Sequence, residues 1–182
     1  MRVITGSARG MRLFTLEGES VRPTTDKVKE ALFSIIQFEI EGRRVLDLFA
    51  GSGQLGIEAL SRGARSAQFV DENRQAVSVI NKNLEKTRLG ERASVSHTDS
   101  IAFISSTDRQ FDLFLLDPPY GKGLCLKALP LCEKKASDGA LIVCETSAEE
   151  VLPEDVEGLV FSKRYKYGKT ALTVYRKAGG AE

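Results

Sequence analysis

Residues 44–63, RVLDLFAGSGQLGIEALSRG, decide the fold of this chain. A run rich in strand-forming residues ends in a glycine turn, and the turn opens into a helical pattern. Gly51, Gly53 and Gly56 have the spacing G-x-G-x-x-G, which lets a backbone approach a ligand closely at a helix N-terminus. This order of strand, turn and helix predicts the first unit of a parallel α/β sheet.

The alternation of strand and helix patterns continues on both sides of this unit. Upstream, VKEALFSII has the apolar spacing of a helix, and Thr24, Thr25 and Asp26 are its candidate caps. Downstream come the strands SAQFVD, ASVSHT, FDLFLLD and GALIVCET, separated by NRQAVSVINKNLEKT, a short helix from about Ser100 and a helix over roughly 124–135. LVFSKRYKYG and TALTVYRK form a closing hairpin. The pattern predicts a Rossmann-like, mainly parallel, doubly wound sheet with a C-terminal antiparallel hairpin.

Composition limits the class of protein. The chain has 182 residues, 42% hydrophobic and 28% charged, which suits one globular domain. We expect a cytoplasmic protein with no membrane partner, because the sequence has neither a membrane-length apolar run nor a secretory leader pattern. We also expect reduced, buried thiols and no metal, because Cys125, Cys132 and Cys144 lack metal-like pairing and His97 is alone.

Two acidic residues narrow the meaning of the glycine motif. Asp71 lies twenty residues after Gly51, where it could hold a ribose in an NAD or an S-adenosylmethionine enzyme. A purely structural turn is a third possibility. Asp47 disfavours a dinucleotide, because a carboxylate there would repel a pyrophosphate, whereas it would favour the cationic groups of S-adenosylmethionine directly or by ordering the glycine loop.

The segment DLFAGSG (47–53) therefore resembles the cofactor motif of class I methyltransferases. The resemblance implies S-adenosylmethionine as cofactor. It also implies that the ribose is bound by Asp71, with Glu72 as the alternative, and that the adenine amino group is contacted by Asp99. Asp99 is equally well placed to cap the next helix. The cofactor-binding residues predicted in this way are Asp47, Phe49, Gly51, Gly53, Asp71 and Asp99.

The strand in DLFLLDPPYGKG (112–123) ends in Asp117, Pro118, Pro119 and Tyr120, the predicted catalytic residues. A purine amine is a weak nucleophile, and two acceptors aimed at its protons favour the pyramidal geometry of the transition state. The Asp117 carboxylate and the Pro118 carbonyl can be these acceptors, with the backbone fixed by Pro-Pro. A flipped base can stack on Tyr120. The combination is typical of amino-methyltransferases that act on nucleic acids.

The whole chain resembles one family. RVITGSARGMRL, RPTTDKVKEALFSII, VLDLFAGSGQLGIEALSRGA, FVDENRQAV and FDLFLLDPPY, in this order, closely resemble the bacterial type D small-subunit ribosomal RNA guanine-N2 methyltransferases. The resemblance implies methylation of one guanine amine in 16S rRNA, within an assembled or assembling 30S particle, and we expect a monomer. An adenine-N6 DNA methyltransferase, for which the chain lacks room for a target-recognition region, and a non-catalytic nucleotide-binding module are the alternatives.

Both ends of the chain are locally basic. The stretch SKRYKYGK near the C-terminus and the first thirteen residues each fit a solvated strand face when taken alone. We nevertheless predict that residues 1–21 form a hairpin extension that binds RNA, with glycine turns at Gly6 and Gly10, ahead of a methyltransferase domain over 22–182. Its RNA-binding residues would be Arg2, Arg9 and Arg12, and Arg22 would either contact RNA or support the fold.

Overall fold

The computed structural model describes residues 1–16 and 23–179. The helices in this part of the chain are α1 (Pro23–Ile35), α2 (Gln54–Ser61), α3 (Arg74–Thr87), α4 (Ser100–Ser106) and α5 (Leu124–Lys135), with a 3₁₀ turn at Gly90–Arg92. The strands are β1 (Arg44–Asp47), β2 (Ser66–Asp71), β3 (Ala93–His97), β4 (Phe111–Leu116), β5 (Ala136–Ser147), β6 (Asp155–Val156), β7 (Leu159–Tyr167) and β8 (Thr170–Lys177).

All of these strands form one sheet in the order β3-β2-β1-β4-β5-β8-β7-β6. Strands β1 to β5 pair in parallel, and β5, β8, β7 and β6 pair antiparallel. The strand order reverses between β1 and β4, the switch point at which ligands bind in open α/β sheets. The predicted doubly wound sheet and its closing hairpin are confirmed, and the two-residue strand β6 adds to them.

The sheet is buried on both faces because successive side chains of its central strands point to opposite sides. Val45, Phe69 and Leu115 pack with helices α1, α2 and α3 on one face. Leu46 and Phe114 pack with α4 and α5 on the other. Strand β4, with the sequence FDLFLL, is accordingly a nearly continuous apolar run and lacks the polar-apolar alternation of a strand with one solvent-exposed face.

The N-terminal segment forms the predicted hairpin in a minimal form, an isolated antiparallel bridge between Arg2 and Arg12. Its apolar side chains Val3, Ala8 and Leu13 are buried in the same cluster as helices α1 to α3. The segment predicted as an extension therefore contributes to the hydrophobic core. The predicted domain boundary at residues 21 and 22 lies outside the described residues.

A buried network of hydrogen bonds connects this hairpin to α2. The carboxylate of Glu58, with no exposed surface, accepts hydrogen bonds from the backbone N–H groups of Ile4 (2.8 Å) and Thr5 (3.0 Å). Arg62 Nε donates to it over 2.8 Å, and Lys29 Nζ lies 4.0 Å away. A buried carboxylate requires such partners, so the network fixes how the hairpin sits on the helix.

Several local predictions can be compared directly with the structure. The three cysteines are buried and free of disulfides, as expected. Helix α1 begins at Pro23, so Thr24, Thr25 and Asp26 lie in its first turn and not ahead of it. In the part of the chain that the structure describes, no helix has the length and apolar character needed to cross a membrane.

Candidate functional site

A cavity of about 890 Å³ opens at the carboxyl ends of β1, β2 and β4, where the strand order reverses. The structure brings most of the predicted site residues to its wall: Phe49, Gly51, Asp71, Asp99, Asp117, Pro118, Pro119 and Tyr120. Two predicted cofactor residues, Asp47 and Gly53, are buried and do not line it. The acids and the proline-rich segment, which are far apart in sequence, therefore share one cavity.

Asp71 connects the end of β2 to the glycine loop through a hydrogen bond. One carboxylate oxygen accepts a hydrogen bond from the N–H of Gly51 over 2.8 Å, and the other accepts from the N–H of Asn73 over 2.8 Å. Gly53 has a φ of 78°, in the left-handed region that favours glycine, at the start of α2. The neighbouring Glu72 also lines the cavity but is exposed. Of the two acids considered for the ribose, Asp71 is the one held rigidly against the loop.

Asp47 lies beneath the glycine loop, 1% exposed. Its Oδ2 accepts a hydrogen bond from the N–H of Gly56 over 2.9 Å, and its buried Oδ1 has no hydrogen-bond partner. Burial raises the pKa of Asp47 to about 7, although the bond from Gly56 works in the opposite direction. The contact with Gly56 means that Asp47 orders the first turn of α2.

Asp99 caps helix α4, and its Oδ1 accepts a hydrogen bond from the N–H of Ala102 over 2.7 Å. The predicted capping role is confirmed. Because Asp99 also lines the cavity, capping leaves the adenine role open as a prediction.

Tyr120 is held by its hydroxyl group. The hydroxyl donates to Glu145 Oε1 over 3.0 Å, and it lies 3.2 Å from Thr170 Oγ1. Burial, opposed by the bond with Thr170, raises the pKa of Tyr120 well above its usual value. The ring is therefore positioned by strands β5 and β8, which contribute Glu145 and Thr170.

The predicted RNA-binding arginines lie apart from the cavity wall. Arg2, Arg9 and Arg12 are exposed on the N-terminal hairpin, and Arg22 is outside the described residues. The hairpin nevertheless reaches the cavity, because Met1 and Thr15 line it.

The polar residues of the cavity wall that the sequence interpretation did not assign to the site include Asp26, Gln54, Lys122 and Glu145. Gln54 lies inside the glycine motif, directly after Gly53, and its buried Oε1 has no hydrogen-bond partner. Its place at the N-terminus of α2 was a signal that could have identified it. Glu145 lies within an apolar strand, in the sequence LIVCETS, and its polar character there was a second such signal.

Comparison with known proteins identifies the family of this chain. The family described as Conserved hypothetical protein 95 matches residues 1–176. Ribosomal RNA small subunit methyltransferase D of Escherichia coli (strain K12) is 32% identical, over 100% of this chain and 92% of that protein. The chain belongs to this methyltransferase family. YlbH of Bacillus subtilis (strain 168) is 40% identical, over 98% of this chain and 100% of its own length.

The family membership agrees with the three-dimensional comparison. The solved structure of yhhF from Escherichia coli has a TM-score of 0.88 at 32% identity and covers 98% of each chain. The predicted class I methyltransferase fold and the predicted methyltransferase class of enzyme are both confirmed. Among the described residues, no group of three or more His, Cys, Asp or Glu side chains is arranged to hold a metal ion.

Proposed function

We propose that this protein transfers a methyl group from S-adenosylmethionine to the exocyclic N2 amine of a guanine in 16S rRNA. The observation that carries the proposal is that Asp117 to Tyr120 and the acids Asp71 and Asp99 line one cavity at the switch point of the sheet. The relative named Ribosomal RNA small subunit methyltransferase D supports the choice of nucleic acid.

The residues of the cavity fit S-adenosylmethionine. Asp71 presents a carboxylate suited to ribose hydroxyl groups, and Asp99 presents one suited to the adenine amino group. The buried oxygens of Asp47 and Gln54 that have no hydrogen-bond partner offer a favourable environment for the cationic groups. When bound, the cofactor supplies an electrophilic methyl carbon on a sulfonium.

The chain's own residues would activate the amine. The Asp117 carboxylate and the Pro118 carbonyl accept its two N–H groups, which favours the pyramidal nitrogen and frees its lone pair. Asp117 would then accept the proton that the amine nitrogen releases once it has been methylated. The ring of Tyr120 provides the stacking surface for the flipped base.

The N-terminal hairpin would supply affinity for the RNA backbone. Arg2 and Arg12 are directly opposite each other in the hairpin, and two like charges in this arrangement are stabilised when a phosphate lies nearby. Arg9 and Arg22 belong to the same proposal. Residues 1–21 would thus bind RNA and residues 22–182 would carry catalysis, in a cytoplasmic monomer that acts on an assembled or assembling 30S particle without a metal.

The test is transfer of labelled methyl from S-adenosylmethionine to small subunits from a strain that lacks the enzyme, followed by nucleoside analysis of the 16S rRNA. We expect label in N2-methylguanosine. Label in N6-methyladenosine would overturn the guanine specificity, and absence of transfer would overturn the activity.

A further inference from the structure

Glu145 is placed beside Asp117 by the register of two parallel strands. In the pairing of β4 with β5, Leu115 is opposite Val143 and Leu116 is opposite Cys144. The next residue in each segment is Asp117, directly after the end of β4, and Glu145, within β5. Neighbouring strands lie about 4.8 Å apart, so the two carboxylates start from adjacent positions on the sheet edge. Both line the cavity.

The Glu145 side chain is oriented by the aromatic ring proposed to stack on the base. Its Oε1 accepts a hydrogen bond from the hydroxyl group of Tyr120 over 3.0 Å. Tyr120 keeps that proton, because burial and the nearby carboxylates of Glu145 and Asp117 raise its pKa. The bond therefore fixes a carboxylate beside the stacking surface, at the level of the catalytic segment.

A second carboxylate can distinguish guanine from other purines at the ring nitrogen N1, which is adjacent to the carbon that carries the amine. Any purine with an exocyclic amine offers protons to Asp117 and Pro118. Guanine alone among the standard purines also carries a proton on the adjacent ring nitrogen N1, whereas adenine and 2-aminopurine present a lone pair there. A carboxylate facing N1 accepts a hydrogen bond from guanine and repels the other two bases.

We propose that the Glu145 carboxylate accepts the N1–H group of the target guanine and thereby selects guanine over purines that lack this proton. This inference rests on the proposed guanine-N2 methylation. Glu145 acts on the choice of base, while Asp117 acts on the amine that reacts.

The experiment uses small subunits reconstituted with either guanine or 2-aminopurine at the methylated position, both of which carry the reacting amine. The wild-type protein is expected to prefer guanine. Glu145→Gln keeps the side-chain volume and an acceptor for Tyr120, but its amide can donate to an N1 lone pair. We expect its guanine rate to fall about tenfold to a hundredfold and its preference for guanine over 2-aminopurine to disappear or reverse.

Thr170→Val is the matched control, because it removes the other partner of the Tyr120 hydroxyl and leaves the carboxylate of Glu145 in place. Its ratio of guanine to 2-aminopurine rates should stay at the wild-type value. If Glu145→Gln turns over too slowly, the ratio of affinities for guanine-containing and 2-aminopurine-containing small subunits is measured instead, by 2-aminopurine fluorescence and competition, and is compared with the wild-type affinity ratio. An unchanged ratio in Glu145→Gln would overturn the inference, while wild-type formation of N2-methylguanosine would leave the proposed function standing.

Discussion

At the scale of single residues, Asp47 and Asp117 have different surroundings and different expected roles. Asp47 contacts the backbone of Gly56 beneath the glycine loop, whereas Asp117 lies on the cavity wall beside the proline-rich turn. Removing the charge of Asp47 should change the stability of the loop, and removing that of Asp117 should change the reaction itself.

Asp117→Asn should lower methyl transfer by about a hundredfold or more, because a neutral amide replaces the charged carboxylate, whose hydrogen bond to the amine strengthens in the transition state. Affinity for S-adenosylmethionine, measured by calorimetry, should remain close to that of the wild type. Asp138→Asn, an equal charge change at an exposed position near the start of β5, is the control and should keep full activity. Loss of cofactor affinity together with activity would instead make Asp117 a cofactor residue.

Asp47→Asn should remove a pH dependence of stability. Burial raises the pKa of Asp47 from 3.8 to about 7, so the folded protein holds this proton more tightly than the unfolded chain. Its contribution to stability is therefore complete below about pH 4 and declines as pH rises to about 7. The Tm of Asp47→Asn minus that of the wild type should therefore increase as the pH rises from about 4 to about 7. A difference in Tm that does not vary with pH would show that the pKa of Asp47 is not raised.

At the scale of elements, the hairpin and helix α2 approach closely at one glycine. Gly6 and Gly10 both have positive φ values, 90° and 82°. A Cβ on Gly6 would lie 1.8 Å from the carbonyl oxygen of Ser61 at the end of α2, whereas a Cβ on Gly10 would meet no atom within 4 Å. The two positions therefore share the backbone constraint and differ only in the contact with the helix.

Gly6→Ala should lower the free energy of unfolding more than Gly10→Ala does, by about 1 to 3 kcal/mol, because only the first substitution forces the hairpin away from α2. Urea unfolding of the two variants measures the difference directly. Equal decreases in the free energy of unfolding would mean that the hairpin does not pack against α2. They would support the interpretation of residues 1–21 as an extension outside the core.

The features that could be predicted from the sequence are those specified by neighbouring residues. The glycine turn, the capping Asp99 and the Asp117 to Tyr120 segment each carry a local signal in a few consecutive positions. The sequence did not identify Glu145 as a residue of the cavity or Glu58 as the residue that binds the hairpin, because both roles depend on residues that are distant in sequence. Glu145 gains its position from the register of β4 with β5, and Glu58 gains its partners only when the hairpin packs on α2.

At the scale of the whole molecule, two segments of the chain are locally basic although the net charge is only +1. The exposed arginines of the hairpin are close in sequence to Met1 and Thr15, which line the cavity. The second basic stretch lies on β7 and its turn. There Arg164 donates to the carbonyl oxygens of Ala148 and Glu150, so this arginine has a structural role. We therefore expect the arginines of the hairpin to contribute more to RNA binding than the basic residues of β7 and its turn.

Replacing Arg2, Arg9 and Arg12 together with alanine should weaken binding to small subunits and flatten its salt dependence. Each lost phosphate contact should reduce the log–log slope by about 0.7 to 0.9. Folding and cofactor affinity should survive, because these side chains are exposed and the hairpin is held through its backbone and through Val3, Ala8 and Leu13. The measurement is binding at a series of salt concentrations, with Tm recorded for the same variant.

The matched control for this prediction removes three exposed lysines from the other basic stretch, Lys163, Lys166 and Lys169, and so makes the same change in net charge. If RNA binding depends on the position of the arginines on the N-terminal hairpin, the lysine variant should keep most of the wild-type salt slope. An equal flattening in both variants would show that only total charge matters. A fall in Tm with an unchanged slope would mean that the arginines support the hairpin and do not contact RNA, and the catalytic proposal would then stand without an N-terminal RNA contact.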